Sequence, residues 1–399
     1  MSVDQPETSA VESRPVGPDF LELVREEGAG NVVTSHAEEL TRALRRGIDG
    51  PVELAWIQGQ SCSGCTVSLL QNADPAIEKT LGELREQVSF HSTLMTAAGE
   101  SAMSGLESGP DVLVVEGAIP TRIPRAATLG VDEQGTPKPV LDWVLELGEQ
   151  ADVVLAAGSC AAFGGLPAAG RFDSADVGES PTGARGLQFD GREPGGVFGP
   201  AFDTGRELPV INVAGCPLYA EHLLLTLATV LNGHDPDLDR YNRPLPLFEP
   251  LVHDDCNLRE EYECFEFADE PGCDGCLYDA GCAGVYAHCD GSMRLRNGGT
   301  SVCRQVGAPC IGCVEPAFWD RFSPFYRADR DDDGEPPDPD RTVTPPSETT
   351  SDRQMGLVGA VTACLLGLFA LPLAPILAVL WLYDRLSGDE PTAWKELPF

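Results

Sequence analysis

Four short apolar runs punctuate the first half of the chain, at residues 52–58, 112–115, 153–157 and 210–213. Each is rich in β-branched residues, too short for a helix, and followed by small residues and then helix-like sequence. Near-continuous apolar strands alternating with helices predict an α/β fold, with a parallel sheet covered on both faces. Upstream, Leu21, Leu23, Val24, Leu40 and Leu44 recur at amphipathic spacing between Phe20 and Arg46, which predicts one or two helices. Residues 1 to about 18 are polar and read as an extension outside the core.

After about residue 236 the alternation stops, and little apolar periodicity remains up to residue 329. Residues 330–353 (RDDDGEPPDPDRTVTPPSETTSDR) are acidic and proline-rich, the composition of an extended linker. From Met355 to Tyr383 there is no charged residue, and about 20 apolar residues suffice to cross a bilayer. This stretch predicts a transmembrane helix, kinked at Pro372 and Pro375, with Trp381 and Tyr383 at the interface. Arg353 and Arg385 flank it too evenly to orient it. The expected organisation is an extension (1–50), an α/β domain (51–235), an irregular cysteine-rich domain (236–329), a linker (330–354), a membrane helix (355–383) and a tail (384–399).

The formal charge of −36 narrows the partners. So large an acidic excess excludes nucleic acid and anionic lipid over most of the surface. It fits a hydrated surface adapted to concentrated salt, which screens the self-repulsion, and suggests a halophilic source. The start of the chain has neither a basic segment nor an apolar core, so no signal peptide is expected, and the cytoplasmic side of the membrane is favoured.

The 14 cysteines change the picture most. Ligands of parallel sheets sit at the carboxyl ends of the strands. Three of the four runs carry cysteine just past that end, namely Cys62/Cys65, Cys160 and Cys216, and the fourth carries Glu116. Thiols far apart in sequence would therefore meet at one sheet edge. His253 and nine further cysteines fall within the span 253–313, implying a segment folded around metal. Composition alone leaves zinc and iron–sulfur centres both open.

The order Cys62-x-x-Cys65, GSCAAFGG around Cys160, GCP at Cys216, VHDDC, CLYDAGCAG and PCIGCVEPAFWD resembles the small, electron-transferring subunit of [NiFe] hydrogenases, from about Val52 to Tyr326. The resemblance implies a flavodoxin-like domain followed by an iron–sulfur domain with three clusters. It places the proximal [4Fe–4S] cluster on Cys62, Cys65, Cys160 and Cys216, and the distal [4Fe–4S] cluster on His253, Cys256, Cys276 and Cys282. The medial cluster falls to Cys289, Cys310 and Cys313. Many relatives hold a [3Fe–4S] cluster there, with proline where Cys303 stands in this chain. Cys303 is therefore the expected fourth ligand of a medial [4Fe–4S] cluster. Two extra cysteines of oxygen-tolerant relatives correspond to Gly64 and Gly165, so ordinary oxygen sensitivity is expected. Glu116 matches an interface glutamate with either a structural or a proton-path role, and Ser61 replaces a glutamate common in relatives. Cys264 and Cys273 have no counterpart; Cys273 competes with Cys276 as a distal ligand, and Cys276 is preferred.

The nickel-binding motifs RxCxxC and DPCxxC are absent, so the [NiFe] site is expected in a separate large subunit. The resemblance implies electron passage from H2 oxidation there to a membrane acceptor, a b-type cytochrome or another quinone-linked protein. Two alternatives are an electron-transfer subunit of a complex I-like or F420-reducing enzyme, and a zinc-binding membrane protein without redox function.

Overall fold

The computed structural model describes residues 15–45, 52–72, 76, 87–169, 180–292, 303 and 307–318, all within a single unit of the chain. Five parallel strands form the central sheet: β1 (Leu54–Gln58), β2 (Val88–His91), β3 (Val112–Glu116), β4 (Val153–Ala157) and β5 (Ile211–Val213). Their spatial order is β5-β4-β3-β1-β2, the flavodoxin-like doubly wound arrangement. The strands β3 and β4 are buried along their whole length because helices cover both faces.

The four apolar runs coincide with β1, β3, β4 and β5. The strand without a forecast, β2, reads VSFH; only Phe90 and His91 are buried, and the strand lies at the sheet edge. Half-buried polar residues gave it no continuous apolar signature.

Eight helices accompany the sheet among the described residues of this half of the chain. These are α1 (Phe20–Glu27), α2 (Ala29–Ser35), α3 (Ala37–Ala43), α4 (Gly64–Leu70), α5 (Glu100–Glu107), α6 (Val140–Gly148), α7 (Ser159–Phe163) and α8 (Ala220–Leu231). The N-terminal segment makes three short helices instead of one or two. Gly28 turns between α1 and α2 at φ +81°, and His36 ends α2 outside helical geometry. Asp19 caps α1 through the N–H groups of Leu21 and Glu22, and Leu21 N–H also reaches the hydroxyl of Thr229 on α8. Helix α8 is buried nearly all round, being enclosed between the sheet and this N-terminal layer.

From Leu245 to Phe318 the described chain has only short helical turns and isolated bridges. Buried polar links hold it to the sheet domain. His222 on α8 bonds Asp290 at 2.8 Å, and both are buried. Arg243 joins Asp239 to Glu315. Among the described residues no helix is long and apolar enough to cross a membrane. The expected transmembrane helix (355–383), the linker before it and Cys364 lie outside the described residues.

His91 stacks on Trp56, with ring centroids 5.0 Å apart, and its Nδ1 accepts the N–H groups of Thr93 and Leu94. Burial lowers its pKa to about 4, although the charge of Glu116 acts the other way. A neutral buried histidine stabilises the fold fully above the unfolded pKa near 6.5, and that stability is lost as pH falls towards 4. The loss should reach on the order of 3 kcal/mol. His91→Phe should flatten this acid limb; equal slopes of thermal midpoint against pH in variant and parent would refute the assignment.

Candidate metal centre

The carboxyl ends of β1, β3, β4 and β5 stand side by side, with Gln58 paired to Glu116, Glu116 to Ala157, and Ala157 to Val213. The loops leaving those ends carry Cys62/Cys65, Cys160 and Cys216. Burial pushes the Cys65 thiol far above its ordinary value, and repulsion from Glu116, Cys160 and Cys216 adds to this. Burial likewise raises Cys160 to about 11, with Cys62 and Glu116 contributing. The four thiols thus lie near enough to act on one another. The backbone around it is pared to glycine. A Cβ on Gly158 would lie 2.4 Å from Cys65 Sγ, and one on Gly165 would lie 2.6 Å from Cys160 Sγ. Both glycines also have positive φ, at +87° and +51°.

Glu116 is buried behind these loops. Its carboxylate accepts from Trp56 Nε1, Gln58 Nε2, Thr66 Oγ1, Ser61 Oγ and the backbone N–H of Cys65. Five donors converge on two oxygens, which fixes the Cys62–Cys65 turn to β1 and β3. Ser61 thus serves as one of these donors.

A second group gathers in the irregular segment. His253, Cys256, Cys276 and Cys282 line one cavity together with Leu258, Leu277 and Gly284. Burial pushes the Cys276 thiol up to about 11, with Cys282, Cys256 and Glu261 adding to it. Cys273 is exposed and lines a different, outward cavity with Asp274 and Gly275. Cys264 is also exposed.

The third group centres on Cys310. Burial raises its thiol far above the ordinary range, and Cys282, Cys313 and Cys289 reinforce the shift. Cys303 is exposed, and its carbonyl accepts the N–H of Ala308.

The chemistry of these donors fits iron–sulfur clusters. The Sγ atoms of Cys256, Cys282, Cys289 and Cys310 each accept the backbone N–H two residues on, from Leu258, Gly284, Gly291 and Gly312, at 3.3–3.4 Å. Such bonds disperse thiolate charge and tune cluster potentials. Among the described residues no three His, Cys, Asp or Glu side chains gather to hold one metal ion. A cluster takes each thiolate on a separate iron, so its donors need not meet at a point.

Sequence alone does not reveal the N–H···S pattern, although glycine two places after Cys282, Cys289 and Cys310 is a partial signal of it. Nor does it mark Ser159. That residue is buried, accepts the N–H of Gly215 at 2.9 Å and donates to the carbonyl of Cys313 at 2.5 Å.

Residues 62–230 match the family of the NADH ubiquinone oxidoreductase 20 Kd subunit, and residues 248–326 match the family of the C-terminal part of NiFe/NiFeSe hydrogenase small subunits. Residues 332–389 match a family of unknown function. The F420 non-reducing hydrogenase II small subunit of Methanosarcina mazei is 34% identical over 332 residues, covering 77% of this chain and 83% of its own length. The quinone-reactive Ni/Fe-hydrogenase small chain of Wolinella succinogenes is 33% identical, over 68% of this chain and 72% of its own. Among solved structures, the [NiFeSe] hydrogenase of Desulfomicrobium baculatum superposes with a TM-score of 0.60 at 32% identity, over 70% of this chain and 99% of that one. The actinobacterial-type NiFe-hydrogenase of Ralstonia eutropha gives 0.59 at 29% identity, over 88% and 94%.

Proposed function

The chain belongs to the small subunits of [NiFe] hydrogenases, and from that premise we propose that its thiols and one imidazole hold three clusters in a row. Small subunits of this family are iron–sulfur electron-transfer proteins, and the catalytic site lies in the large subunit with which they pair. The complex I-like reading is not favoured, because the segment after residue 248 matches the hydrogenase family. A cluster, when bound, takes up and gives back one electron at a time.

The proximal [4Fe–4S] cluster is assigned to Cys62, Cys65, Cys160 and Cys216, and the distal one to His253, Cys256, Cys276 and Cys282. The observation that carries this reading is the convergence of four thiols from three separate loops at the carboxyl edge of one sheet. The medial cluster is assigned to Cys289, Cys310 and Cys313, with Cys303 as fourth ligand of a [4Fe–4S] form. Cys303 is exposed, so this last assignment rests on its place in the motif.

The protein's own contribution is to hold and shield. Glu116 anchors the Cys62–Cys65 turn, Gly158 and Gly165 admit bulk beside the thiols, and backbone N–H groups stabilise charge on sulfur. The imidazole of His253 supplies a neutral donor at the distal site, which raises its potential relative to an all-thiolate one.

The acceptor is proposed to be a b-type cytochrome or another quinone-linked protein in the bilayer. Support comes from the uncharged stretch 355–383 and from a relative named quinone-reactive.

The test is co-purification through the C-terminal tail, with metal analysis of everything retained. Brown protein, a nickel-containing partner and bleaching under H2 are expected. Colourless, zinc-loaded protein would overturn the reading.

A further inference from the structure

The geometry points to the Ser159 hydroxyl as the joint that seats the Cys310–Cys313 loop on the proximal thiol group. This inference rests on the reading of those cysteines as iron ligands.

Ser159 opens α7, one residue past the carboxyl end of β4 and directly before Cys160. Its side chain is closed off from solvent and uses both of its hydrogen-bonding roles. Oγ accepts the N–H of Gly215, which precedes Cys216, and donates to the carbonyl of Cys313. The Ser159 N–H in turn reaches the Gly215 carbonyl at 2.9 Å. One hydroxyl therefore ties the loops of two proximal cysteines to a medial one.

The far end of the same loop is tied in the opposite direction. Cys310 N–H donates to Cys282 Sγ at 3.2 Å, and the Cys310 carbonyl accepts the N–H of Ala283 at 2.7 Å. Four residues thus span from the proximal group to the distal group, with a hydrogen bond at each end. A bonded route for single electrons runs along Cys160, Ser159, Cys313, Cys310 and Cys282. The bond at the Ser159 end is the one supplied by a side chain that is not itself assigned to iron. Alanine there would remove the side-chain acceptor of the buried Gly215 N–H and the donor to the Cys313 carbonyl.

The test uses the assembled enzyme with its large subunit and compares Ser159→Ala, Ser159→Thr and Ser159→Val. Threonine and valine have nearly the same shape and differ by the hydroxyl. Iron per complex, the magnetic interaction between proximal and medial centres in EPR, and the rate of electron passage between them are measured.

With iron retained, Ala and Val should weaken the interaction and slow passage between the two centres. Thr should match the parent. Selective loss of medial iron in Ala and Val, with Thr intact, would equally support the joint. An Ala or Val variant with full iron, unchanged EPR interaction and unchanged rate would overturn it. So would a Thr variant as impaired as Ala. Parent enzyme lacking iron at these cysteines would instead sink the functional reading itself.

Discussion

Arg243→Leu is expected to destabilise the protein by about 3–5 kcal/mol, the cost of breaking one side of a buried ion pair. It should also strip medial iron before proximal iron. Arg243 is buried and serves three partners, at 2.7 Å to Asp239 Oδ2, 3.0 Å to the Val314 carbonyl and 3.2 Å to Glu315 Oε1. Glu315 Oε1 accepts the N–H of His288 as well, at 2.8 Å. The guanidinium therefore fixes the chain just after Cys313 and just before Cys289. Burial disfavours the Glu315 carboxylate, but Arg243 and His288 outweigh it and hold its pKa at about 2. Without Arg243 that carboxylate loses its guanidinium partner and keeps only the contacts to His288. Adding Glu315→Gln should recover part of the loss, since it removes the charge while keeping an acceptor for His288. Lysine would not substitute, because one ammonium cannot present the planar fork that serves three acceptors. Denaturant midpoints and iron counts on the parent, the single variants and the double variant check this. Equal stability of Arg243→Leu and the parent would refute it.

Much of the sheet was legible because each inner strand is apolar throughout, and because cysteines at strand ends report directly on an edge that topology builds. β1, β3, β4 and β5 carried that signal, whereas β2 did not, since its Val88 and Ser89 are only half-buried at the sheet edge. The grouping of Cys160 and Cys216 with Cys62 and Cys65 followed from the same rule. The order of motifs, not their spacing alone, separated an iron–sulfur wire from zinc.

What stayed hidden was the joinery. No periodicity marks Ser159, His222 or Arg243 as links across more than 50 residues, because each is a single polar side chain whose partner is fixed by tertiary packing. That Gly158 and Gly165 leave room for the Cys65 and Cys160 sulfurs is likewise a three-dimensional fact. Glu116 shows the limit from the other side. The motif suggested either proton transfer or structural bonding, and the structure surrounds its carboxylate with five donors.

Cys276→Ser should empty the distal site of about four irons, the content of one cubane, while Cys273→Ser should leave the iron count unchanged. The two cysteines are three residues apart and form a CxxC pair, so sequence offers either as a ligand. Backbone pairing separates them. Cys276 N–H donates to the Glu266 carbonyl at 2.8 Å, and its own carbonyl accepts the N–H of Ala268 at 2.8 Å. This two-sided grip directs Cys276 to the cavity lined by His253, Cys256 and Cys282. Cys273 makes a turn to the Glu270 carbonyl at 3.2 Å and is exposed. A serine at 276 would replace a soft thiolate by a hydroxyl that is protonated at neutral pH and binds iron poorly. Loss of iron in Cys273→Ser, with Cys276→Ser retaining it, would transfer the ligand role to Cys273. In that case Phe267 and Cys276 could not keep the bridge that now sets the loop, and the cavity wall would have to be rebuilt around residue 273.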